Sequence, residues 1–473
     1  MRKSLTVCSV LLSFMLPGKQ LIAQAKEGVH EMSAGYVAPK DPLVIKKLSQ
    51  WQDQRFGLFM HWGTYSIWGE VESWSICPVD WVVRKGPYSD DYNVYKKTYE
   101  ELQHSFNPVD FNPEKWVKAA KAAGMRYVVF TTKHHDGFCM FDTKETDYKI
   151  TSPNTPFSKN PRSNVAKEIF DAFRKDSFMI GAYFSKPDWH NDNFWWKYYP
   201  PKDENINYDL KKFPERWKKF NDFTYNQIQE LMTGYGKVDI LWLDGGWVRP
   251  DGKQSLNMDT IVGMARKNQP GLIVVDRTVP GEYENYTTPE QSVPDKPLPY
   301  PWETCMTMGY SWSYSPRDEF KPSRQLISTL VKIVSRGGNL LLGVGPSDKG
   351  DWAPDVYKRL EDISGWMTIN EEGIHGSRPV APYSENNIYF TQSKDQRSLY
   401  AYMLSDSDEV KLPAEVSFAV ENVKKVRNVV LLGSKAKLQW SYKDGRLVIK
   451  VPKALQQQSG LKYSAGFKVS VEA

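Results

Sequence analysis

From about Phe56 to Trp366, short apolar runs alternate with longer segments of helical period, the pattern of repeated βα units built on a parallel sheet. The runs "FGLFMHW", "RYVVFTT", "FMIGAYFS", "VDILWLD", "GLIVVDR", "PWETCMTM" and "NLLLGVGP" are candidate strands. Most are continuously apolar rather than alternating, as strands covered on both faces should be. Between them, "SPRDEFKPSRQLISTLVKIVSRGGN" sets Leu326, Ile327, Leu330, Val331 and Val334 on one helical face and stops at Gly337. "EKWVKAAKAAG" and "ERWKKFNDFTYNQIQELMTGYG" read as helices that also end in glycine. Seven or eight such units in roughly 300 residues is the size of a (β/α)8-like barrel. The alternative, a doubly wound open sheet, lacks the glycine-rich phosphate loop expected after its first strand.

The pattern changes after about Ser377. "NIYFTQS", "RSLYAYML", "VRNVVLL", "LQWSYKDGRLVIKV" and "GFKVSVE" are short β-type runs, with Asp444-Gly445 a strong hairpin signal. The expectation is a C-terminal antiparallel β-sandwich, more a buttress than a sugar-binding module, since a fold alone licenses no function. At the other end, Arg2 and Lys3 precede an apolar run from Leu5 to Leu16, and Ala23 and Ala25 supply the small residues of a signal-peptidase site. The predicted organisation is therefore a signal peptide over 1–25, a catalytic α/β domain over 26–376 and a β-sandwich over 377–473, exported to a periplasm or secreted. The N-terminal run is well short of the roughly 20 residues that span a bilayer, so no membrane anchor is expected.

Charge and cysteine content narrow the possibilities. A net charge of +6 from 62 basic and 56 acidic residues contains no block of like charges, which speaks against a nucleic-acid partner. Past the leader only Cys77, Cys139 and Cys305 remain, so no disulfide framework is implied, although one bridge is open. The 17 Trp, 26 Tyr and 21 Phe are many. Such rings suit core packing first, and the apolar faces of sugars second.

Polar residues gather where a barrel keeps its active site. His61, His134, His135, Asp136, Tyr183, Asp244, Arg277 and, least clearly, Glu303 lie at or near the C-terminal ends of the proposed strands. Asp244 ends a very apolar strand, with Gly245-Gly246 to turn the chain and Trp242 and Trp247 beside it. The plainer reading of Asp244 is a helix cap. If the chemistry is glycoside hydrolysis a second carboxylate is required, and Glu290 in "YTTPEQSVP" and Glu303 in "YPWETCMTM" are the candidates. Each could otherwise be a surface or substrate-binding group.

The motifs "RFGLFMHWGTYS", "FNPEKWVKAAKAAGMRYVVFTTKHHDGF", "LWLDGG", "TPEQ" and "PWETCMTM", with a following "SW", resemble those of the retaining α-L-fucosidases, glycoside hydrolase family 29. The resemblance covers roughly Leu48 to Gly345. It implies Asp244 as nucleophile, Trp242 in the sugar pocket, and His61, His134 and His135 as ligands of fucose hydroxyls. Tyr183 and Arg277 match further pocket positions, and Trp312 matches an aromatic beneath the fucose methyl. Glu290 matches the more common acid/base position, with Glu303 the runner-up. Glu72 and Trp74 keep the family's outer-pocket loop only loosely, which leaves linkage preference open.

The implied reaction is a double displacement without a cofactor, on terminal α-L-fucosyl groups of oligosaccharides or glycoconjugates. Its acid must hold a proton near neutral pH, so a carboxyl with a raised pKa is expected. Three alternatives stand beside it: hydrolysis of α-L-galactosides, which differ only at the methyl group; a non-catalytic fucose-binding protein; and a metal enzyme using His61, His134, His135 and Asp136. The last needs irregular backbone, because adjacent strand residues point to opposite faces.

Overall fold

In the computed structural model, residues 35–84, 88–421, 423–457 and 459–472 are described. The signal peptide expected over 1–25 lies outside them. All seven predicted runs are strands: β1 (Phe56–Met60), β2 (Tyr127–Lys133), β3 (Met179–Ser185), β4 (Ile240–Asp244), β5 (Ile273–Asp276), β6 (Glu303–Thr307) and β7 (Asn339–Val344). They form one parallel sheet in the order β5-β4-β3-β2-β1-β7-β6, a barrel wall open between β5 and β6. The doubly wound alternative is thereby removed.

Side-chain parity divides each strand between two cores. Phe59, Val129, Tyr183, Trp242, Val275 and Leu341 point inward and pack on one another. Their neighbours Leu58, Val128, Phe184, Leu243, Val274 and Leu342 point outward, under the helices. Two-sided burial is why the runs carry no alternation in sequence. The outer layer includes α1 (Pro42–Gln52), α2 (Tyr92–Glu100), α3 (Pro113–Ala122), α4 (Val165–Lys175), α5 (Pro214–Gly234), α6 (Met258–Asn268), α7 (Ser323–Ser335) and α8 (Pro354–Asn370). In α7 the five predicted apolar residues are all buried, and Gly337 turns out of the helix at φ +89°.

The gap in the wall is covered by the segment from Tyr283 to Gln291. Asn285 N donates to Val274 O of β5 at 2.9 Å, while Glu303 N and Cys305 N of β6 donate to Thr287 O and Pro289 O at 2.9 and 3.1 Å. A Pro-containing stretch that reads as a loop thus satisfies both open strand edges.

Beyond the barrel stand a five-stranded antiparallel sheet, β12-β15-β10-β9-β8, and a three-stranded one, β11-β14-β13. Their ranges are β8 (Arg378–Glu385), β9 (Ile388–Gln392), β10 (Ser398–Glu409), β11 (Glu415–Ala419), β12 (Lys425–Leu431), β13 (Gln439–Lys443), β14 (Arg446–Lys450) and β15 (Lys462–Glu472). Phe390, Phe418, Ile449 and Phe467 fill the space between the two sheets. Asp444 and Gly445 form the β13–β14 turn with φ of +51° and +74°, the pair of positive values that a tight hairpin needs. No described helix is long and apolar enough to cross a membrane. Cys77, Cys139 and Cys305 are buried and unbridged.

Candidate active site

Parity places Asp244 in the pocket. Ile240, Trp242 and Asp244 share the inner face of β4, and Asp244 is the last of the three, where the barrel opens. Tyr183 donates its hydroxyl to Asp244 Oδ2 at 2.7 Å, and Arg277 Nη1 donates to Oδ1 at 3.0 Å. His135 Nε2 lies 3.8 Å from Oδ2. Burial alone would raise this carboxyl. The Arg277 charge, the Tyr183 hydroxyl and the Gly245 N–H outweigh it and hold Asp244 well below the usual carboxylate range.

Arg277 also reaches the second carboxylate. Its Nη2 pairs with Glu290 Oε2, and Trp312 Nε1 donates to Glu290 Oε1 at 3.1 Å. One guanidinium therefore spans Asp244 and Glu290. Trp312 lies against Gly343, where an added Cβ would stand 2.9 Å from the indole, so only glycine leaves room for that ring.

The two adjacent histidines share the pocket because the strand has ended. The β2–β3 register slips between Thr131 and Lys133, and β2 stops at Lys133. His134 and His135 then lie with ring centroids 4.3 Å apart. His134 stacks on Tyr183, and its Nδ1 pairs with the Ser73 hydroxyl. Burial pushes His61 down to about 3 and His135 to about 4, so near neutral pH both are uncharged rings able to donate and accept. The Nδ1 atoms of His61 and His135 are buried without a partner. Such atoms are costly to leave unbonded. Asp136 caps the turn, accepting from Phe138 N at 3.2 Å and from the Tyr99 hydroxyl at 2.6 Å.

Glu303 stands elsewhere. It is the first residue of β6, at the opposite strand end from Asp244, with 0% exposure. Its carboxylate accepts from the Tyr127 hydroxyl at 2.5 Å and from Trp242 Nε1 at 3.3 Å. It lies one layer beneath the pocket, with Trp242 between it and the arginine. This differs from the expectation that it stood near a C-terminal strand end, because "PWE" leads into β6 rather than out of it. Burial pushes Glu303 up to about 7. Glu72 is also raised to about 7, by burial together with the Glu290 and Asp244 charges. Glu72 is thus a buried carboxyl within electrostatic reach of both acids.

A family model for α-L-fucosidase matches residues 23–372, and one for the α-L-fucosidase C-terminal domain matches residues 382–470. The chain belongs to the α-L-fucosidase family. It is a glycoside hydrolase of family 29, a class that cleaves fucosyl linkages. Tissue α-L-fucosidase of Bos taurus is 29% identical over 84% of this chain and 82% of its own length. The solved α-L-fucosidase isoenzyme 1 of Paenibacillus thiaminolyticus is similar with a TM-score of 0.75 and 29% identity, covering 91% of this chain and all of that one. A family 29 α-L-fucosidase of Bacteroides thetaiotaomicron, solved as a trapped covalent intermediate with 2-fluoro-fucosyl fluoride, shares the fold at a TM-score of 0.72 and 23% identity, over 93% and 98% of the two chains.

Within this fucosidase, His61, His134, His135, Tyr183, Arg277 and Trp312 are contiguous with Asp244 and Glu290, and Trp242 forms the floor beneath Tyr183 and Arg277. Trp74 joins at the outer side, with its ring 5.4 Å from His135. Sequence reasoning missed Ser73, Trp189 and Trp81. Ser73 and Trp189 become relevant only through their contacts with His134 and His135, and Trp81 through the nearby Trp74 ring in the same Val71–Trp81 segment. Among the described residues, His134, His135 and Asp244 bring donor atoms within 4.8 Å of one another, a spacing a metal could use. Arg277 and Tyr183 already bond to the Asp244 carboxylate. A guanidinium in that place opposes a second cation.

Proposed function

We propose that the chain removes terminal α-L-fucosyl groups by a retaining double displacement, with Asp244 as nucleophile and Glu290 as acid/base, after export from the cytoplasm. The observation that carries this reading is the single Arg277 guanidinium bonded to both carboxylates. That arrangement suits a closely spaced pair, about 5–5.5 Å apart in retaining enzymes, better than the wider pair that leaves room for a water. The covalent intermediate of the Bacteroides thetaiotaomicron neighbour supports the same route. Asp244 is held ionised, as a nucleophile must be. It attacks the anomeric carbon, the bond to the leaving oxygen breaks, and the acid gives that oxygen its proton. Water, deprotonated by the same group, then displaces Asp244. His61, His134 and His135 hold the hydroxyls, and Trp312 offers its ring to the C5 methyl. The apolar run and Ala-Gln-Ala of the first 25 residues support export.

Glu72 is the second reading for the proton donor, favoured by its pKa of about 7 beside both acids. The deciding experiment compares Asp244→Ala, Glu290→Ala, Glu72→Ala and Glu303→Ala on an aryl α-L-fucoside and on a fucosyl disaccharide. Asp244→Ala should lose at least about 10³-fold on both substrates. The acid variant should lose about 10²–10⁴-fold on the disaccharide, keep fucosyl transfer from the aryl substrate, and regain turnover with azide. Azide rescue of Glu72→Ala but not of Glu290→Ala would reverse the assignment. Unchanged rates for Asp244→Ala would remove Asp244 as the nucleophile and with it this double displacement.

A further inference from the structure

Beyond the pocket residues used above, a row of indoles runs from His135 towards solvent. Trp189, fully buried, lies 5.1 Å from His135 and backs Trp74 at 5.2 Å. Trp74 is half-buried on the short turn Ser73–Ile76 and meets Trp247 at 5.5 Å and Trp81 at 5.1 Å. Trp247 is itself 5.2 Å from His135. Trp81, 37% exposed, is the outer end of the row. Burial thus falls stepwise from the imidazole that touches Asp244 to a solvent-facing indole.

The inner part of the row is rigidly placed. Gly245 has φ +91°, and an added Cβ would meet Pro187 Cδ at 2.4 Å, while one at Gly246 would meet Thr278 Oγ1 at 1.9 Å. The turn after Asp244 is therefore wedged between two loops, and it carries Trp247 back over His135. Trp247 Nε1 is buried and has no hydrogen-bond partner among the described residues.

We infer that Trp74, Trp81 and Trp247 form the leaving-group subsite, which takes a pyranose joined to fucose by stacking its C–H face on the indoles. This rests on the fucosidase reading and adds the class of group on the far side of the scissile bond. Fucose fills the closed end between Asp244, His61 and Trp312, and the indole row is the aromatic surface that leads from His135 beside it to solvent. The negative face of an indole attracts the polarised C–H groups of a pyranose, and a flat ring loses little freedom in doing so. A methyl aglycone, or a fucose joined directly to a serine or threonine side chain, offers no such face. The preferred substrates are therefore fucosyl oligosaccharides.

The test pairs methyl α-L-fucopyranoside with α-L-fucosyl-galactose disaccharides of (1→2), (1→3) and (1→4) linkage. All need protonation of an alkoxide leaving group, and only the disaccharides carry the second ring. In wild type, kcat/KM for at least one disaccharide should exceed that for the methyl glycoside by about tenfold or more. Trp81→Ala should reduce that ratio about tenfold for the favoured linkage, and Trp81→Phe should restore part of it. Because the ratio is read, a general loss of folded enzyme cancels. A ratio unchanged in Trp81→Ala and in Trp247→Phe, or a wild type that does not prefer any disaccharide, overturns the subsite while leaving the hydrolase intact. A wild type that cleaves neither class of fucoside removes the fucosidase reading, and this one with it.

Discussion

Arg277 is the residue on which the charge balance of the pocket turns. Oxygens of two different carboxylates share its guanidinium, and the Trp242 ring lies 5.4 Å from it on the floor. Without that charge the Asp244 carboxyl would titrate higher than it does beside the arginine. The reactive form is the carboxylate, so protonation would remove activity at a higher pH than in the wild type. In Arg277→Met the acid limb of the kcat/KM profile should therefore move to higher pH. Its plateau should fall about ten- to a hundredfold, the cost of about 1.5–3 kcal/mol for a lost charged hydrogen bond. An acid limb left where it was would show that Tyr183 and the Gly245 N–H hold the nucleophile ionised without the arginine. The histidines make the complementary point. Burial keeps His61 and His135 uncharged at neutral pH, so they do not compete with Arg277 for the carboxylates.

At the scale of elements, strand parity and strand ends decide what faces the pocket. Asp244 and Glu303 are both acids on inward-facing positions, yet one closes β4 and the other opens β6, which separates a pocket group from a buried one. The turn after β4 is equally specific. Gly245→Ala would force a side chain into a positive φ and against Pro187. A loss of about 1–3 kcal/mol in unfolding free energy is expected. Because the same turn holds Asp244 O on the Lys186 N–H at 2.9 Å, kcat should drop more than KM rises. Chemical denaturation and steady-state kinetics on one preparation would check both. Full stability together with wild-type kcat would mean that the turn tolerates what its geometry forbids.

Over the whole molecule, the sandwich is joined to the end of the barrel away from the pocket. Arg55, just before β1, is 1% exposed, and its guanidinium donates to the carbonyls of Ser377, Gly337 and Gly338. Trp366 Nε1 of α8 donates to Ser464 Oγ of β15 at 2.8 Å, and Tyr402 OH of β10 donates to Asn370 O at 2.9 Å. These contacts tie the two parts together at that end. Arg55→Met would strand buried carbonyls at the junction, costing about 3 kcal/mol or more. Calorimetry should show one cooperative transition at a lower temperature, with barrel and sandwich still melting together. Separate transitions would mean that the two parts are stabilised independently.

Read alone, the sequence determined the seven strands, three of the helices between them and the hairpin at Asp444-Gly445. Each of these rests on local physics: apolar runs long enough for a doubly covered strand, a 3.6-residue period, and residues that tolerate positive φ. Only the tertiary structure decided how the barrel wall closes, because Tyr283–Gln291 is held by hydrogen bonds to β5 and β6 and carries no strand pattern of its own. It also set Glu303 beneath the floor and Glu72 beside the acids, since burial depth is a property of the packed layers and not of the neighbouring letters. The row from Trp189 to Trp81 belongs to the same class. Its four rings come from three separate stretches of chain, and only folding brings their faces together.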